Sequence, residues 1–166
     1  MNLGNLSINQ IVMKNSSFDE FITFTKKLNI QNIEIRNDIK TNLVRENEPQ
    51  KIKDICDNHS IKILTINALQ KFNIWNEQRK NELIELCSFA NKASIWAIVL
   101  VPLNDGSFPK EEDQISLLRS SLKNISEILN DFNIMGLVEP LGFTQSTLRK
   151  KSIAIKVIEE IKSTNI

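Results

Sequence analysis

The sequence has 166 residues, of which 41% are apolar and 25% are charged, and its net charge is +1. These values suit one domain with a sizeable core, and a charge so close to zero argues against a nucleic-acid or acidic-lipid partner. No apolar run approaches the length of a membrane span, and the first ten residues lack the basic and apolar regions of a signal peptide. We therefore expect a single domain over residues 1–166, located in the cytoplasm, with no nucleic-acid or membrane partner.

Short β-rich runs alternate with longer helical patterns along the whole chain. This alternation implies βαβ crossovers and a parallel sheet. In chain order, the predicted strands are Asn5–Gln10, Asn32–Arg36, Lys62–Asn67, Trp96–Val101 and Ile134–Glu139. The predicted helices are Phe18–Leu28, Pro49–His59, Glu77–Lys92, Glu111–Asp131 and Lys151–Ser163.

Local chemistry supports several helix ends. Ser17 and Glu20 fit a capping box at the start of the first helix, and Pro49 fits the first position of the second. Asn29 follows the first helix, and the sequence has only 4 glycines. Because asparagine tolerates a left-handed backbone best after glycine, we expect it to stand where glycine is usual. The two cysteines, Cys56 and Cys87, occupy apolar helix positions, which predicts buried thiols.

The predicted strands have one apolar face and one polar face. Along the third strand, for example, Leu64 and Ile66 alternate with Thr65 and Asn67. A doubly wound sheet is covered by helices on both faces, so its strands are apolar on both sides. The observed alternation instead favours a (β/α) barrel of the TIM type, whose active site lies at the carboxyl ends of the strands. The fourth strand, which is apolar throughout, is the exception.

The number of units leaves two architectures open. A full barrel has eight units and about 250 residues, whereas five units are predicted here. The chain is therefore either a truncated TIM barrel or an open five-stranded fold, such as a flavodoxin-like binding domain without catalysis. A receiver domain is disfavoured because its acidic positions hold Asn9, Gln10 and Asn67, and the sequence contains no dinucleotide fingerprint and no P-loop. A five-unit barrel would leave two strand edges unpaired, which favours association into a homo-oligomer.

Four segments at the predicted strand ends point to one family. They are LSINQ at residues 6–10, IEIRND at 33–38, INALQKFN at 66–73 and LVEPLGF at 137–143. Together, and in this order, they resemble the xylose-isomerase-like TIM barrels of the sugar phosphate isomerase/epimerase superfamily, especially members associated with inositol catabolism. The resemblance covers the whole chain.

The resemblance implies a divalent metal site, holding manganese, cobalt, zinc or magnesium, with ligands on strands five to eight. Glu139 matches the first ligand, and the others would lie beyond Ile166. The implied reaction is isomerisation or epimerisation of a small sugar, polyol or inosose by metal-assisted proton transfer through an enediolate. Glu139 is then the expected metal ligand and catalytic carboxylate. With ligands missing, we expect impaired activity, and an inactive barrel remnant is the alternative.

Six residues are candidate substrate contacts. The amides suit recognition of hydroxyl groups, although each is alternatively a satisfied polar residue, and Phe72 would form an apolar wall beside a sugar. Arg36 shares a strand face with Glu34, so it either forms a structural ion pair or reaches a substrate oxygen. His59, at the end of the second helix, is on the wrong face for a ligand. The candidates are Asn9, Gln10, Arg36, Asn37, Asn67 and Phe72.

Overall fold

The fold is a single parallel sheet of five strands in sequential order, with helices between them. The computed structural model describes residues 6–107 and 111–166, apart from the side chains of residues 111 and 112. The strands are β1 (Ser7–Asn9), β2 (Asn32–Arg36), β3 (Lys62–Gln70), β4 (Ala97–Val101) and β5 (Met135–Val138), in the order β1-β2-β3-β4-β5. The helices are α1 (Phe18–Lys27), α2 (Leu43–Glu46), α3 (Pro49–Asn58), α4 (Glu77–Lys92), α5 (Glu111–Phe132) and α6 (Lys151–Ile161).

The strand order separates the two predicted architectures. A flavodoxin-like sheet has the strand order 2-1-3-4-5, because strand 2 is added on one side of strand 1 and the later strands are added on the other side. Each strand here pairs in parallel with the next along the chain, as in a barrel wall. The open flavodoxin-like alternative is therefore wrong, and the prediction of five βα units from a TIM-type barrel is confirmed.

The predicted elements match the observed ones, with differences at their ends. β1 is shorter than predicted because Gln10 begins a 3-10 helix that extends to Met13; predicted residue Asn5 lies outside the described residues. β3 runs on to Gln70, since after an irregularity Leu69 and Gln70 still pair with β4. The four-residue α2, which begins at the side-chain cap of Asn42, was not predicted. No helix within the described ranges has the length and apolar content needed to cross a bilayer.

The sheet has two different faces, and the helices cover only one of them. The main core lies between the sheet and the helices, where Ile35, Ile98 and Leu100 have no exposed surface. On the opposite face, Ala68 and Val99 belong to a second, small apolar cluster. The uniformly apolar β4 is thereby explained, because alternate residues of this strand belong to the two clusters.

Helix ends follow a recurrent pattern. The capping box of Ser17 and Glu20 is present, and Pro49 begins α3, as predicted. Four helices end in a left-handed residue followed by isoleucine, and the isoleucine N–H donates to a carbonyl five residues earlier. This bond is the mark of a Schellman motif. The four pairs are Asn29–Ile30, Ser60–Ile61, Ser94–Ile95 and Asn133–Ile134, with φ between 53 and 57° at the first residue.

The outer edge of β5 is partly occupied. The backbone N–H of Gly136 donates to the carbonyl oxygen of Asn165 at 2.8 Å, and the Asn165 side chain donates to the carbonyl of Ile134 at 3.2 Å. The segment after α6 therefore already lies against this edge of the sheet. Association through open barrel edges stays a prediction.

Candidate active site

A carboxylate on β2 connects three strands on the face of the sheet away from the main core. Glu34 accepts hydrogen bonds from the Asn9 amide on β1, from Thr65 Oγ1 at 2.6 Å and from Asn67 Nδ2 at 3.3 Å on β3. Thr65 and Asn67 are only 8% and 7% exposed. We call these four residues the Glu34 network. The network places two predicted substrate contacts, Asn9 and Asn67, beside the carboxylate of Glu34.

Arg36 pairs with Asp38 and not with Glu34, so the first of its two alternatives, a structural ion pair with Glu34, is not the one that forms. Its Nε donates to Asp38 Oδ1 at 2.7 Å and its Nη2 to Asp38 Oδ2 at 2.5 Å. The hydrogen bond to Asp38 raises the pKa of Arg36; burial opposes this effect, and the charges of Asp38, Glu34 and Glu139 add to it. Residues two apart on a strand share a face, but Asp38 lies past the strand end, where the long arginine side chain reaches it.

Two of the predicted amides are occupied by the backbone. Asn37 Nδ2 donates to the carbonyl of Ala68 at 3.1 Å, while Asn37 Oδ1 accepts from the Ala68 N–H at 2.6 Å. Gln10 is fully buried, and its Oε1 accepts from the N–H of Arg36 at 2.9 Å, whereas its Nε2 has no hydrogen-bond partner. Both residues thus hold the carboxyl ends of β1, β2 and β3 in place.

Phe72 lies in the main core. Its side chain has no exposed surface, and it belongs to the same buried cluster as Phe21 and Leu69. The expectation that its ring forms a wall beside a sugar does not agree with this position. The loop after β3 folds inward at this point, since the N–H of Phe72 donates to the carbonyl of Val101 at 3.2 Å.

Glu139 stands directly after β5 and opens onto a cleft. Its N–H donates to the carbonyl of Leu100 at 3.0 Å, which continues the β4–β5 pairing and fixes its backbone. Its side chain is exposed and makes no hydrogen bond or ion pair among residues 6–107 and 111–166. The cleft, of about 440 Å³, is also lined by Glu34, Asn67, Val99 and Lys151. The Glu139 carboxylate, which has no hydrogen-bond or ion-pair partner among the described residues, therefore faces the same cleft as Glu34 and Asn67.

The described residues do not make a complete metal centre. No group of three or more histidine, cysteine, aspartate or glutamate side chains lies together in the part of the chain that the structure describes. Glu34 already accepts three hydrogen bonds, and His59 contacts Lys26, with 3.3 Å between the lysine Nζ and His59 Nδ1. A hard cation takes six or more oxygen ligands, and the cleft offers one free carboxylate, that of Glu139.

The two thiols are unsuited to nucleophilic chemistry. Cys56 and Cys87 are both buried, as predicted. Burial raises the pKa of each thiol to about 12, because the thiolate would lose its solvation. Neither residue lines the cleft at Glu139, so the chemistry of the site rests on carboxylates and amides.

Sequence reasoning missed two features of this region. Glu34 is the centre of the hydrogen-bond network, and its signal was its position between Ile33 and Ile35 on a strand whose other face is fully buried. Lys151, at the start of α6, lines the cleft although it is twelve residues beyond Glu139 in the chain. Only the path of the intervening loop shows this, and no local pattern encodes that path.

Comparisons with known proteins identify the fold family. The family model described as xylose isomerase-like TIM barrel matches residues 22–166. A search of curated proteins gives no significant match.

Solved structures resemble the chain over nearly its whole length. A xylose isomerase domain containing protein from Salmonella typhimurium LT2 has 29% identity and a TM-score of 0.89, with 99% of this chain and 60% of that chain covered. The IolI protein with a bound zinc atom has 21% identity and a TM-score of 0.85, with coverage of 96% and 59%. An L-ribulose 3-epimerase has 13% identity and a TM-score of 0.76, with coverage of 98% and 59%.

The chain thus spans about 60% of the length of these structures. The last two likenesses concern the fold alone, because their identities are low. The matched segment contains β2 to β5, Glu34 and Glu139, and the strand order is that of a barrel wall. The chain belongs to the xylose isomerase-like TIM barrel family.

Proposed function

We propose that this chain carries the β1–β5 portion of a sugar or inosose isomerase or epimerase site. The observation that supports it is the unpartnered carboxylate of Glu139, which opens onto a cleft shared with Asn67 and Glu34 at the carboxyl ends of the strands. That edge is where barrel enzymes carry out their chemistry. Isomerisation or epimerisation through an enediolate needs a positioned base that removes a proton from carbon, and a carboxylate can fill that role.

In this proposal, Glu139 removes the proton from the carbon next to a sugar carbonyl and, in an isomerisation, returns it to the neighbouring carbon of the enediolate. An epimerisation would need a second acid that delivers a proton to the opposite face of the same carbon. The Glu34 network orients the substrate, since Asn67 Oδ1 is left to accept from a sugar hydroxyl while its Nδ2 is held by Glu34. A divalent metal, when bound, supplies polarisation of the carbonyl. Glu139 would be one of its ligands, and the others would come from outside the described residues.

The test is hydrogen exchange at the carbon next to the carbonyl of D-tagatose or L-ribulose, followed by NMR in heavy water with manganese present. We expect slow exchange with the unmodified protein and a decrease of about 100-fold in Glu139→Gln, because a positioned general base contributes about that factor or more. Glu85→Gln, an exposed carboxylate on α4, is the matched control and should exchange like the unmodified protein. Equal exchange in Glu139→Gln would refute the assigned role.

Metal affinity is tested separately by thermal unfolding with and without manganese or cobalt. Glu139 is the lone ligand among the described residues, so we expect weak metal binding. Metal at millimolar concentration would then be near its dissociation constant and would raise the free energy of unfolding by less than about 0.5 kcal/mol. A gain of about 2.7 kcal/mol at the same metal concentration would mean that this concentration is about 100 times the dissociation constant. Binding that tight would indicate that further ligands complete the site. In that case the gain should disappear in Glu139→Gln.

A second candidate is a barrel portion that binds sugar without turnover, because Glu34 and Asn67 line the cleft beside Glu139 and are groups suited to holding hydroxyls. Sugar binding to the unmodified protein together with exchange no faster than in protein-free buffer would favour this second function over the first.

A further inference from the structure

The cleft at Glu139 contains a second charged group that has no partner. Lys151, the first residue of α6, lines this cleft together with Glu139 and Glu34. Its ammonium makes no ion pair and no hydrogen bond within residues 6–107 and 111–166. Because Lys151 and Glu139 do not pair with each other, the cleft between these two opposite charges is open to a ligand.

The backbone that carries Lys151 is anchored on both sides. Three residues before it, Leu148 is 2% exposed in the main core, and its carbonyl accepts from the N–H of Leu141 at 3.0 Å. Three residues after it, Ala154 is buried in the same core. The α-carbon of Lys151 is therefore held in place beside the carboxyl end of β5.

Helix stability does not account for a lysine at this position. α6 has no side-chain cap hydrogen bond and no acidic residue in its first turn, and Arg149 and Lys150 precede Lys151. The amino end of a helix carries the positive end of its dipole, so cations are unfavourable there. A neutral residue at position 151 would suit the helix better than lysine does.

The chemistry proposed for Glu139 needs a group that receives negative charge. When the carboxylate removes a proton from the carbon next to a carbonyl, the electron pair of the C–H bond becomes part of a new C=C bond. The π pair of the carbonyl moves onto its oxygen, which becomes an oxyanion. Hydrogen-bond donors that face such an oxygen in a site lower the energy of the transition state.

Lys151 is the only cation among the described residues that line the cleft. Asn67 directs its Nδ2 to Glu34, at 3.3 Å from Oε1. The other side chains of the lining are carboxylates or apolar groups, and the apolar ones belong to Val99, Leu137, Val138 and Pro140. Lys151 is therefore the lining side chain best suited to donate to a new oxyanion.

We propose that Lys151 is a catalytic residue of this site, whose ammonium donates a hydrogen bond to the substrate oxygen that gains negative charge while Glu139 holds the proton. This inference rests on the function proposed above and adds to it the group that stabilises the enediolate. Lys151 keeps its own protons. In an exchange reaction the steps then reverse: Glu139 returns a hydrogen that has exchanged with solvent to the same carbon, and the electron pairs restore the C–H and C=O bonds.

The experiment is the exchange assay described above, with D-tagatose or L-ribulose at several concentrations so that kcat and KM are obtained separately. We expect Lys151→Met to lower kcat about 100-fold, the usual loss when one oxyanion donor is removed, and to change KM less than about threefold. Lys151→Arg should recover part of the rate, because a guanidinium also donates hydrogen bonds.

Lys150→Met is the matched control, because it removes the same charge one residue away from a side chain that does not line the cleft. It should exchange like the unmodified protein. Thermal unfolding checks that the variants are folded, and Lys151→Met should melt no lower than the unmodified protein, since it removes a cation from the amino end of a helix.

The outcomes separate this inference from the proposed function. An unchanged kcat in Lys151→Met, with exchange still lost in Glu139→Gln, refutes the role of the ammonium and leaves the role of Glu139 standing. A higher KM with unchanged kcat makes Lys151 a binding group and refutes the inference, as does an equal loss of kcat in Lys150→Met. Absence of exchange with the unmodified protein refutes both proposals.

Discussion

Replacing Phe72 with alanine is expected to lower the free energy of unfolding by about 3–5 kcal/mol, the usual cost of deleting a fully buried phenylalanine ring. Phe72 has no exposed surface and packs within the main core, so the cavity left behind is closed by neighbours that are themselves buried. Urea denaturation followed by circular dichroism measures the change.

Phe143→Ala is the matched control, since the same ring is removed from a position that is 57% exposed. Its free energy of unfolding should change by less than about 0.5 kcal/mol. A small effect of Phe72→Ala, with altered sugar affinity, would return Phe72 to the substrate site where the sequence placed it. The pair of variants thus compares the contribution to stability of a buried phenylalanine ring with that of an exposed one.

Replacing Glu34 with alanine is expected to lower the free energy of unfolding by about 3 kcal/mol. Three donors lose their acceptor, and two of them, on Thr65 and Asn67, are too enclosed to be rehydrated without rearrangement. A buried donor left unsatisfied costs about 1–3 kcal/mol, and hydrogen bonds to a charged group are among the stronger ones. Chemical denaturation at neutral pH measures the difference.

Two variants make the Glu34 result specific. Glu34→Gln keeps one acceptor oxygen and should cost about half as much, because part of the network can re-form. Glu85→Ala removes an exposed carboxylate from α4 and should change stability by less than about 0.5 kcal/mol. If Glu34→Ala lowered the free energy of unfolding no more than Glu85→Ala, the Glu34 network would not contribute to stability.

The succession of strands and helices was predictable because each helix has a local signal. The Ser17–Glu20 capping box and Pro49 mark helix starts through bonds that involve residues close in sequence. The choice of a barrel wall over an open doubly wound sheet came from the alternating polar and apolar residues of the strands, a signal of equally short range. The position of Asn29 at a left-handed helix end was also confirmed.

The roles of individual site residues were harder to predict because they depend on distant partners. Asn37 looks in the sequence like a free amide past a strand end, but its contacts with Ala68 join residues 31 positions apart. Arg36 has Glu34 and Asp38 at equal spacing in sequence, and only the bend after β2 selects Asp38. Phe72 was misplaced for a similar reason, since its burial depends on how the loop after β3 meets β4.

The Schellman ends of four helices have a thermodynamic consequence for the whole molecule. Placing a residue other than glycine in the left-handed backbone conformation costs up to about 1–2 kcal/mol of folding free energy, with asparagine at the lower end. Four such positions, at Asn29, Ser60, Ser94 and Asn133, together consume several kcal/mol, a sizeable part of the roughly 5–15 kcal/mol by which domains are stable. A relative with glycine at these turns would keep every contact described above and melt at a higher temperature. Heat resistance in this fold can therefore change at the amino ends of its strands, while the chemistry at their carboxyl ends stays the same.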